Sequence, residues 1–249
     1  MKTKLAKSVL FGVVFATILT FIVYPFLKKD KKEQVLELPK NTEVVLVNGT
    51  SDSVEVYLTL GSVGDTNYVQ STEGIFGITQ SATQSSFWLT PNDTLYYLST
   101  KGFNGNLSFG AAPQNCPDTT LYPSGINLFE FALNNNFNLN GQETVDISGV
   151  SGTNSLLEVY LYGGLSSWNN GSDTISYFYN KGQYENTGLS GVYPFGCDSC
   201  VGITPRTPYC AGHRPYAKPQ SKNICNIQRP SGKCGGSVIV VFKGLVKAK

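Results

Sequence analysis

The sequence contains little charge and few of the side chains that enzymes commonly use. Charged residues make up 14% of the 249 residues, and there are one His, one Met and two Trp. A single imidazole, that of His213, leaves no second histidine for a metal centre, and there is no nucleophile motif for a Ser/His/Asp hydrolase. The glycine signatures of P-loop and dinucleotide-binding proteins are also missing. These absences predict a protein without a cofactor or a catalytic metal.

The charge that is present is sorted along the chain. Residues 1–40 contain eight Lys against three acids, residues 41–200 two Lys against fourteen acids, and residues 201–249 nine Lys or Arg and no acid. These segments have net charges of +5, −12 and +9, although the whole chain has a net charge of only +2. Three charge blocks predict three segments with different roles.

A 20-residue run without charge, residues 8–27, predicts a transmembrane helix. Twenty residues of helix span about 30 Å, the thickness of the bilayer hydrocarbon. A cleaved signal peptide is the alternative, but its apolar part usually has about 7–15 residues before a small-residue site, whereas this run ends in YPFL. We therefore expect a basic tail at 1–7, a single-pass anchor in the lipid bilayer at 8–27 and a charged tether at 28–40.

The side of the membrane is indicated by weaker signals. Lysines flank the run on both sides, so the positive-inside rule gives only a slight preference for a cytoplasmic domain. Six cysteines and four glycosylation sequons favour the extracytoplasmic, oxidising side instead. The sequons begin at Asn48, Asn92, Asn106 and Asn170. We expect the globular domain, residues 41–249, on the oxidising side.

Residues 41–249 have the pattern of an all-β domain. Runs rich in β-branched and aromatic residues alternate with Gly, Asn or Pro, and no run keeps a helical period over three turns. Residues 48–52 have the turn chemistry that closes a hairpin between the first two runs. About ten short strands predict a sandwich or barrel. The runs are residues 43–47, 53–60, 86–89, 94–100, 106–109, 127–133, 144–148, 156–162, 174–179 and 237–242.

The cysteines lie mostly in a late, basic segment, residues 193–236, which has too few apolar residues to form a core of its own. An even cysteine count predicts three disulfides in an exported, loop-rich lobe, and the sequence leaves their pairing open. A zinc site using His213, free thiols and a redox-active Cys-x-x-Cys are the alternatives, and the zinc site lacks a second cysteine pair. The disulfide candidates are Cys116, Cys197, Cys200, Cys210, Cys225 and Cys234.

The basic residues of segment 206–249 have two interpretations. Nucleic-acid binding needs basic residues interleaved with aromatics, and only Tyr209 and Tyr216 supply these, so we expect no nucleic-acid partner. Attraction between this segment and the acidic body of the same domain is the simpler interpretation. An acidic neighbouring protein or lipid head groups are further candidates for contact with these charges.

Four segments carry a resemblance to a known family. They are residues 45–50 with 54–57 (a V-N turn and a V-x-V strand), 127–134 (NLFEFALN), 145–154 (VDISGVSGTN) and 236–242 (GSVIVVF). The second is similar to an L-A-E-F-x-L-N strand and the third to an x-D-I-S-x-V-D-G-F-N segment. Together they resemble the thaumatin-like superfamily (osmotin, pathogenesis-related group five), over residues 41–249.

The resemblance implies a flattened thaumatin-like β-sandwich with a disulfide-rich loop lobe and an acidic cleft, which in plant members contacts β-1,3-glucans. Glu130 and Asp146 stand at two of the cleft's acidic positions. Strand alternation places both carboxylates away from the core, where they can accept hydrogen bonds from sugar hydroxyls or act as an acid/base pair. Trp168 is a further candidate glycan contact, because an exposed indole stacks on sugar rings, but a single Trp near a turn is more often a packing residue.

The chain departs from the family at other cleft positions. Ser151 replaces the third acid, and residues 106–110 lack the arginine usual in that strand. Only Asp173 and Asp198 are candidates for the fourth acid, and the cysteines are fewer than in plant members. These differences disfavour catalysis, and the alternative for Glu130 and Asp146 is that they are surface or turn-bracing acids inherited with the fold.

We therefore expect a membrane-anchored, non-enzymatic surface module that binds glycan or protein. A structural protein of an envelope, cell surface or virion, packed against a neighbouring surface protein, is the first alternative. A weak β-1,3-glucan hydrolase, with Glu130 as the acid and Asp146 as its partner, is the second.

Overall fold

The computed structural model describes residues 41–61, 65–113, 125–134, 142–163, 168, 177–182, 185–195, 225–230 and 235–246. The chain divides into two compact units, Met1–Glu37 and Leu38–Lys249, and all of the described residues lie in the second. Among the described residues, no helix has the length and hydropathy needed to span a membrane. The segments assigned to an anchor and a tether lie outside the described residues, and both assignments stay predictions.

The described part of the chain is all-β, as predicted, with one short 3-10 helix at Ile75–Gly77. Its strands are β1 (Thr42–Asn48), β2 (Val54–Leu60), β3 (Gln84–Leu89), β4 (Thr94–Ser99), β5 (Phe103–Phe109), β6 (Leu128–Leu133), β7 (Gln142–Ser148), β8 (Ser155–Tyr162), β9 (Tyr177–Tyr179), β10 (Val192–Tyr193), β11 (Ile227–Pro230) and β12 (Gly236–Leu245). Each predicted run overlaps one of these strands. Only β10 and β11 have no predicted counterpart.

The described strands form two open sheets rather than a closed barrel. Five strands lie in the order β4-β1-β12-β8-β9. The second sheet has seven strands. Six of them lie in the order β10-β7-β6-β5-β2-β3, and the seventh, β11, also pairs with β7. Pairing is antiparallel except between β1 and β12 and between β7 and β10. Buried residues of both sheets belong to one hydrophobic core, so the domain is a β-sandwich.

Alternation along each strand decides which side chains enter this core. In β2 the buried residues are Val54, Val56, Leu58 and Leu60, and the residues between them point to the other face. Most other strands follow this alternation, although the outward Val45 in β1 and Asp146 in β7 are buried too, so each sheet has one core face and one outer face. The polar side chains of interest here lie on the outer face of the seven-stranded sheet.

The predicted hairpin at residues 48–52 is wrong. Strands β1 and β2 belong to different sheets, so this connection crosses from one sheet to the other. The side chain of Asn48 holds the corner, because its Nδ2 donates to the backbone oxygens of Asp52 at 2.8 Å and Leu89 at 3.0 Å. Its Oδ1 accepts from the Thr50 amide at 3.0 Å. An asparagine that satisfies several backbone groups at once serves a sheet corner as well as a hairpin.

Other buried asparagines brace the sheets in the same way. Asn127 and Asn154 each accept the other's backbone amide through the side-chain oxygen, at 3.0 and 3.2 Å. Asn180 accepts from the Leu157 amide at 2.7 Å and donates to the Ser155 carbonyl at 2.8 Å. The high asparagine content therefore has a structural use in the described part of the chain, where the amides satisfy buried backbone groups.

Segment 193–236 contributes to the core more than its sequence indicates. Its residues 225–230 are described, and β11 pairs antiparallel with β7. Ile227 and Arg229 are both buried. Cys225 is disulfide-bonded, and its partner lies outside the described residues, as the other five cysteines do. The scheme of three disulfides stays a prediction.

Candidate functional site

Glu130 in β6 and Asp146 in β7 lie directly opposite each other in the seven-stranded sheet. The residues on either side of Glu130, Phe129 and Phe131, are buried in the core, so the carboxyl group lies on the outer face. Cross-strand neighbours of this kind have Cβ atoms about 4.5–5.5 Å apart. Asp146 is only 6% exposed, and Glu130 is half-buried. The structure thus brings together the two acids that the sequence analysis paired.

Burial raises the pKa of both carboxyl groups, and the hydrogen bond between them acts in opposite directions, raising the pKa of Asp146 and lowering that of Glu130. The pKa of Asp146 is held well above its ordinary value, first by burial and then by the neighbouring charge of Glu130. Burial also raises the pKa of Glu130, while hydrogen bonds with Ser148 and Asp146 act to lower it. Both carboxyl groups are therefore harder to ionise than free acids, and the effect is larger for Asp146.

This arrangement differs from that of a glycosidase. Two carboxyl groups that hydrogen-bond to each other leave no space for a scissile bond between them, whereas glycosidases hold theirs roughly 5–9.5 Å apart. The geometry favours hydrogen bonding to a ligand over catalysis.

A row of polar side chains extends from the acid pair across the sheet. Asn106 in β5 is the cross-strand partner of Glu130, Thr59 in β2 is the partner of Asn106, and Gln84 in β3 is the partner of Thr59. We call these residues, with Asp146, the polar row. It crosses five neighbouring strands of the seven-stranded sheet, which at roughly 4.8 Å per strand is about 19 Å.

Several oxygen atoms of the polar row are buried without a hydrogen-bond partner. They are Oδ1 of Asp146, Oδ1 of Asn106 and Oγ1 of Thr59. Oδ1 of Asn104, two residues along β5 on the same face, is in the same state. An unpartnered buried polar group costs about 1–3 kcal/mol, so native proteins rarely keep one without a reason. These oxygens are closed to solvent, so a ligand that brings several hydrogen-bond donors reaches them only when the side chains over them move aside.

The structure contradicts the candidate glycan contact at Trp168 and supports the packing alternative. Trp168 is 3% exposed, and the guanidinium of Arg229 lies 4.2 Å from the centre of its ring. Its indole packs in the core and cannot stack on a sugar. The other tryptophan, Trp88 in β3, is 62% exposed. Trp88 is the cross-strand partner of Glu55 and lies on the same outer face as the polar row.

Arg229 and Glu143 form a buried ion pair that sequence reasoning missed. The Nε of Arg229 donates to Oε2 of Glu143, and neither side chain is exposed to solvent. Nη2 of Arg229 also donates to the Gly235 carbonyl at 2.8 Å, and Thr42 Oγ1 donates to Oε1 of Glu143 at 3.1 Å. Because Thr42 belongs to the five-stranded sheet and Glu143 to the other, we call these contacts the inter-sheet clamp.

Two basic residues of segment 206–249 are described, and both pair with acids of the preceding body. Arg229 pairs with Glu143, and Nζ of Lys243 lies 3.5 Å from Oε2 of Glu158. These contacts agree with the expected attraction between the basic segment and the acidic body. The remaining basic residues of the segment lie outside the described residues.

The other cleft positions named from the family resemblance add no acid to the described site. Ser151 stands where the family has its third acid, and the arginine-bearing strand of the family has Asn106 beside Glu130 here. Asp173 and Asp198 lie outside the described residues. Fold and site together define an all-β sandwich with a polar, carboxyl-containing outer face.

Comparison with known proteins gives weak likenesses only. No family model matches the chain, and no curated protein matches it. The chain is similar to the solved structure of the protein elicitor MoHrip2 from Magnaporthe oryzae, at 12% identity and a TM-score of 0.36, covering 82% of this chain and 99% of that one. It is similar to the thaumatin-like xylanase inhibitor TLXI at 11% identity and the same score, covering 81% and 99%. No ligand or function follows from likeness at this level.

Proposed function

We propose that this chain is a membrane-anchored, thaumatin-like β-sandwich that acts as a non-enzymatic binding module for an extended glycan. The ligand lies on the outer face of the seven-stranded sheet. The observation that carries the proposal is the set of unpartnered oxygens in the polar row. The anchor at residues 8–27 and the oxidising side of the membrane are parts of the proposal that rest on the sequence alone.

The chemistry of the polar row selects a donor-rich ligand. Carbonyl and carboxylate oxygens accept hydrogen bonds, and the unpartnered ones on this face come from Asp146, Asn106 and Asn104. A sugar supplies hydroxyl donors at regular intervals along a chain. The unpartnered Oδ1 of Asp146 is an acceptor as well, so this face suits hydroxyl donors better than an anion.

The size of the face indicates an oligosaccharide rather than a single sugar. Trp88 lies roughly 20 Å from Glu130. The two residues are three strands apart across the sheet, and Trp88 is four residues along β3 from Gln84, which is the polar-row residue of that strand. Between them lies the half-buried ring of Tyr57, whose hydroxyl donates to Glu55 at 2.7 Å. Aromatic rings at one end and hydrogen-bonding groups at the other are the usual composition of a binding site for an amphipathic ligand.

The test uses the full chain in detergent against a glycan array that includes β-1,3-glucans, followed by titration calorimetry with the best ligand. Asn106→Leu removes an acceptor and should weaken binding about tenfold, because one hydrogen bond is worth roughly 0.5–1.5 kcal/mol. It should also stabilise the free protein by about 1 kcal/mol, since an unpaired buried oxygen is lost. Weaker binding by a more stable protein separates a ligand contact from a folding defect.

Trp88→Ala is the second variant, and it should weaken binding about 3- to 10-fold through the lost ring contact. Glu73→Gln is the matched control, because Glu73 is an exposed acid near the 3-10 helix and away from the polar row. The proposal would be overturned if no polysaccharide on the array bound the chain. It would also be overturned if Asn106→Leu and Trp88→Ala both bound as well as the unmodified chain. The structural-protein hypothesis would then be the better account, and the outer face of the five-stranded sheet favours it.

A further inference from the structure

Most of the large exposed apolar side chains in the described part of the chain lie on one surface. The described residues of this kind are Trp88, Tyr96, Leu98, Tyr162, Tyr177 and Leu245. Tyr96 and Leu98 belong to β4, Tyr162 to β8 and Tyr177 to β9, and all four point away from the core of the five-stranded sheet. We call this outer surface of the five-stranded sheet the tyrosine face.

The register of the strands places Tyr96 and Tyr177 at the two ends of one apolar row, whose middle is less exposed, because Val45 is only 5% exposed and Ile239 and Tyr160 are half-buried. Tyr96 is the cross-strand partner of Val45, Val45 of Ile239, Ile239 of Tyr160 and Tyr160 of Tyr177. The row crosses all five strands without a charged residue. An antiparallel sheet normally turns polar residues to solvent, and a contiguous apolar patch on a soluble surface usually marks an interaction site.

Additional contacts order the tyrosines at one end of the row. The Tyr160 and Tyr177 rings lie 4.8 Å apart between centroids, and the Tyr160 hydroxyl donates to Glu158 at 3.1 Å. Burial, followed by the charge of Glu158, raises the pKa of Tyr160 to about 12. The phenol therefore stays neutral at any physiological pH. Rigid, neutral rings lose little conformational entropy when a partner covers them.

Charge indicates which partner the tyrosine face suits. The charged side chains among its described residues are Glu43, Glu158 and Lys243, and the last two pair with each other at 3.5 Å. Residues 41–200 as a whole have a net charge of −12, so two copies of the body repel each other at most orientations. Contact through the tyrosine face keeps the least charged surfaces together.

We propose that two copies of this chain pair through their tyrosine faces, with the five-stranded sheets packed face to face. A two-fold axis that lies in the interface, along the strands and close to Ile239, places Tyr96 of one copy opposite Tyr177 of the other. Such an isologous contact needs only one self-complementary surface. The apolar row then fills the centre of the interface, and Glu43 and the Glu158–Lys243 pair form its rim.

The area of the face sets the strength of the dimer. Five strands span about 19 Å, and seven residues of a strand about 23 Å, so the flat footprint is roughly 440 Å² for each copy. Stable interfaces bury about 800 Å² on each partner, so the tyrosine face is smaller than a stable dimer needs. The expected dimer is therefore weak in solution, with dissociation at micromolar concentrations or above.

The experiment is sedimentation velocity of the full chain in detergent, over about 1–200 μM protein. The unmodified chain should shift from monomer to dimer across this range. Tyr96→Lys should weaken dimerisation at least tenfold, because a two-fold interface contains the substitution twice. Trp88→Lys is the matched control, since Trp88 and Tyr96 are 62% and 63% exposed but lie on different sheets; it should leave the dimer unchanged.

A second measurement locates the contact independently of the mass. A photo-crosslinking residue at position 96 should join the two copies near Tyr177, identified by mass spectrometry of the crosslinked peptides. A chain that stays monomeric at 200 μM would overturn the proposal. A dimer that survives Tyr96→Lys would also overturn it, because pairing through residues 8–27 would then be the cause. If Trp88→Lys weakens dimerisation as much as Tyr96→Lys does, the proposal is wrong, because the contact then involves the seven-stranded sheet as well.

Discussion

Replacing Arg229 by Met tests the inter-sheet clamp most directly. The change removes the guanidinium and leaves the Glu143 carboxylate buried without its ionic partner. Removing one member of a buried pair costs about 3–5 kcal/mol. The Gly235 carbonyl loses its donor at 2.8 Å as well, which places the expected cost at the upper end. Domains are stable by about 5–15 kcal/mol in total, so a third or more of the stability depends on this contact.

The double variant Arg229→Met, Glu143→Leu separates the charge from the contacts. An apolar pair of similar volume usually replaces a buried ion pair at little cost. Here the Gly235 carbonyl loses its donor and the Asn134 amide loses its acceptor on Glu143, so about 1–3 kcal/mol should stay lost, whereas the Thr42 hydroxyl keeps its contact with Asn134 Oδ1. The double variant should therefore be less stable than the unmodified chain but more stable than Arg229→Met alone.

The assay is urea unfolding of the full chain, followed by tryptophan fluorescence. Trp168 reports on the clamp, because its ring contacts the guanidinium of Arg229. Lys243→Met is the control, since it breaks the partly exposed pair with Glu158 and should cost less than 1 kcal/mol. The reasoning is refuted if Arg229→Met costs no more than this control. It is also refuted if the double variant is less stable than the single one.

Two further predictions concern the acid pair and the sequons. Folding raises the pKa of Asp146 and of Glu130, so the stability that their protonation contributes is complete below about pH 4 and is lost as the pH rises through the folded-state values. Asp146→Asn removes the Asp146 titration and should flatten this fall in urea unfolding between pH 4 and 8; an unchanged slope would contradict the raised pKa of Asp146. Asn92 is exposed in a turn at φ 57, whereas Asn48 is 1% exposed and hydrogen-bonded. Peptide mapping after expression through a eukaryotic secretory pathway should find a glycan at Asn92, and a glycan at Asn48 would show that the corner at residues 48–52 is not as described.

Strand positions were predictable because the alternation of apolar and polar residues is a local property. The assignment of strands to sheets was not, because residues 48–52 have the same turn chemistry in a hairpin and in a corner between sheets. Strand β11 was missed for a different reason. Arg229 interrupts its apolar pattern, and only the carboxylate of Glu143, on a distant part of the chain, makes that arginine a core residue.

The same limit applies to the site. The pairing of Glu130 with Asp146 follows from two neighbouring strands and from the family resemblance, whereas Asn106 and Thr59 join them only through the registers of two further strand pairs. One signal was available for the clamp. Glu143 has the same parity in β7 as the buried Val145, and a glutamate directed into the core needs a cationic partner.

A local signal also existed for the tryptophans. In the run QSSFWL, the apolar residues Phe87 and Leu89 share one parity, which turns Trp88 to the outer face. Trp168 has no alternating neighbours of this kind, because it lies in a segment rich in Ser, Asn and Gly. The exposed tryptophan is therefore Trp88, which lies within a regular strand, and the buried one is Trp168, which lies outside the strands. A position outside the strands did not indicate exposure.

The two outer faces of the sandwich lead to one mode of action when both proposals are combined. Pairing through the tyrosine faces leaves the seven-stranded sheets outermost, so the two polar rows of a dimer point in opposite directions. Such a dimer cannot place both sites on one stretch of a single glycan chain, and it gains avidity only by joining two chains. Short oligosaccharides should then bind the dimer and the Tyr96→Lys monomer equally well. A polymeric glycan should be crosslinked by the dimer alone, which would make the binding module and the structural protein one function.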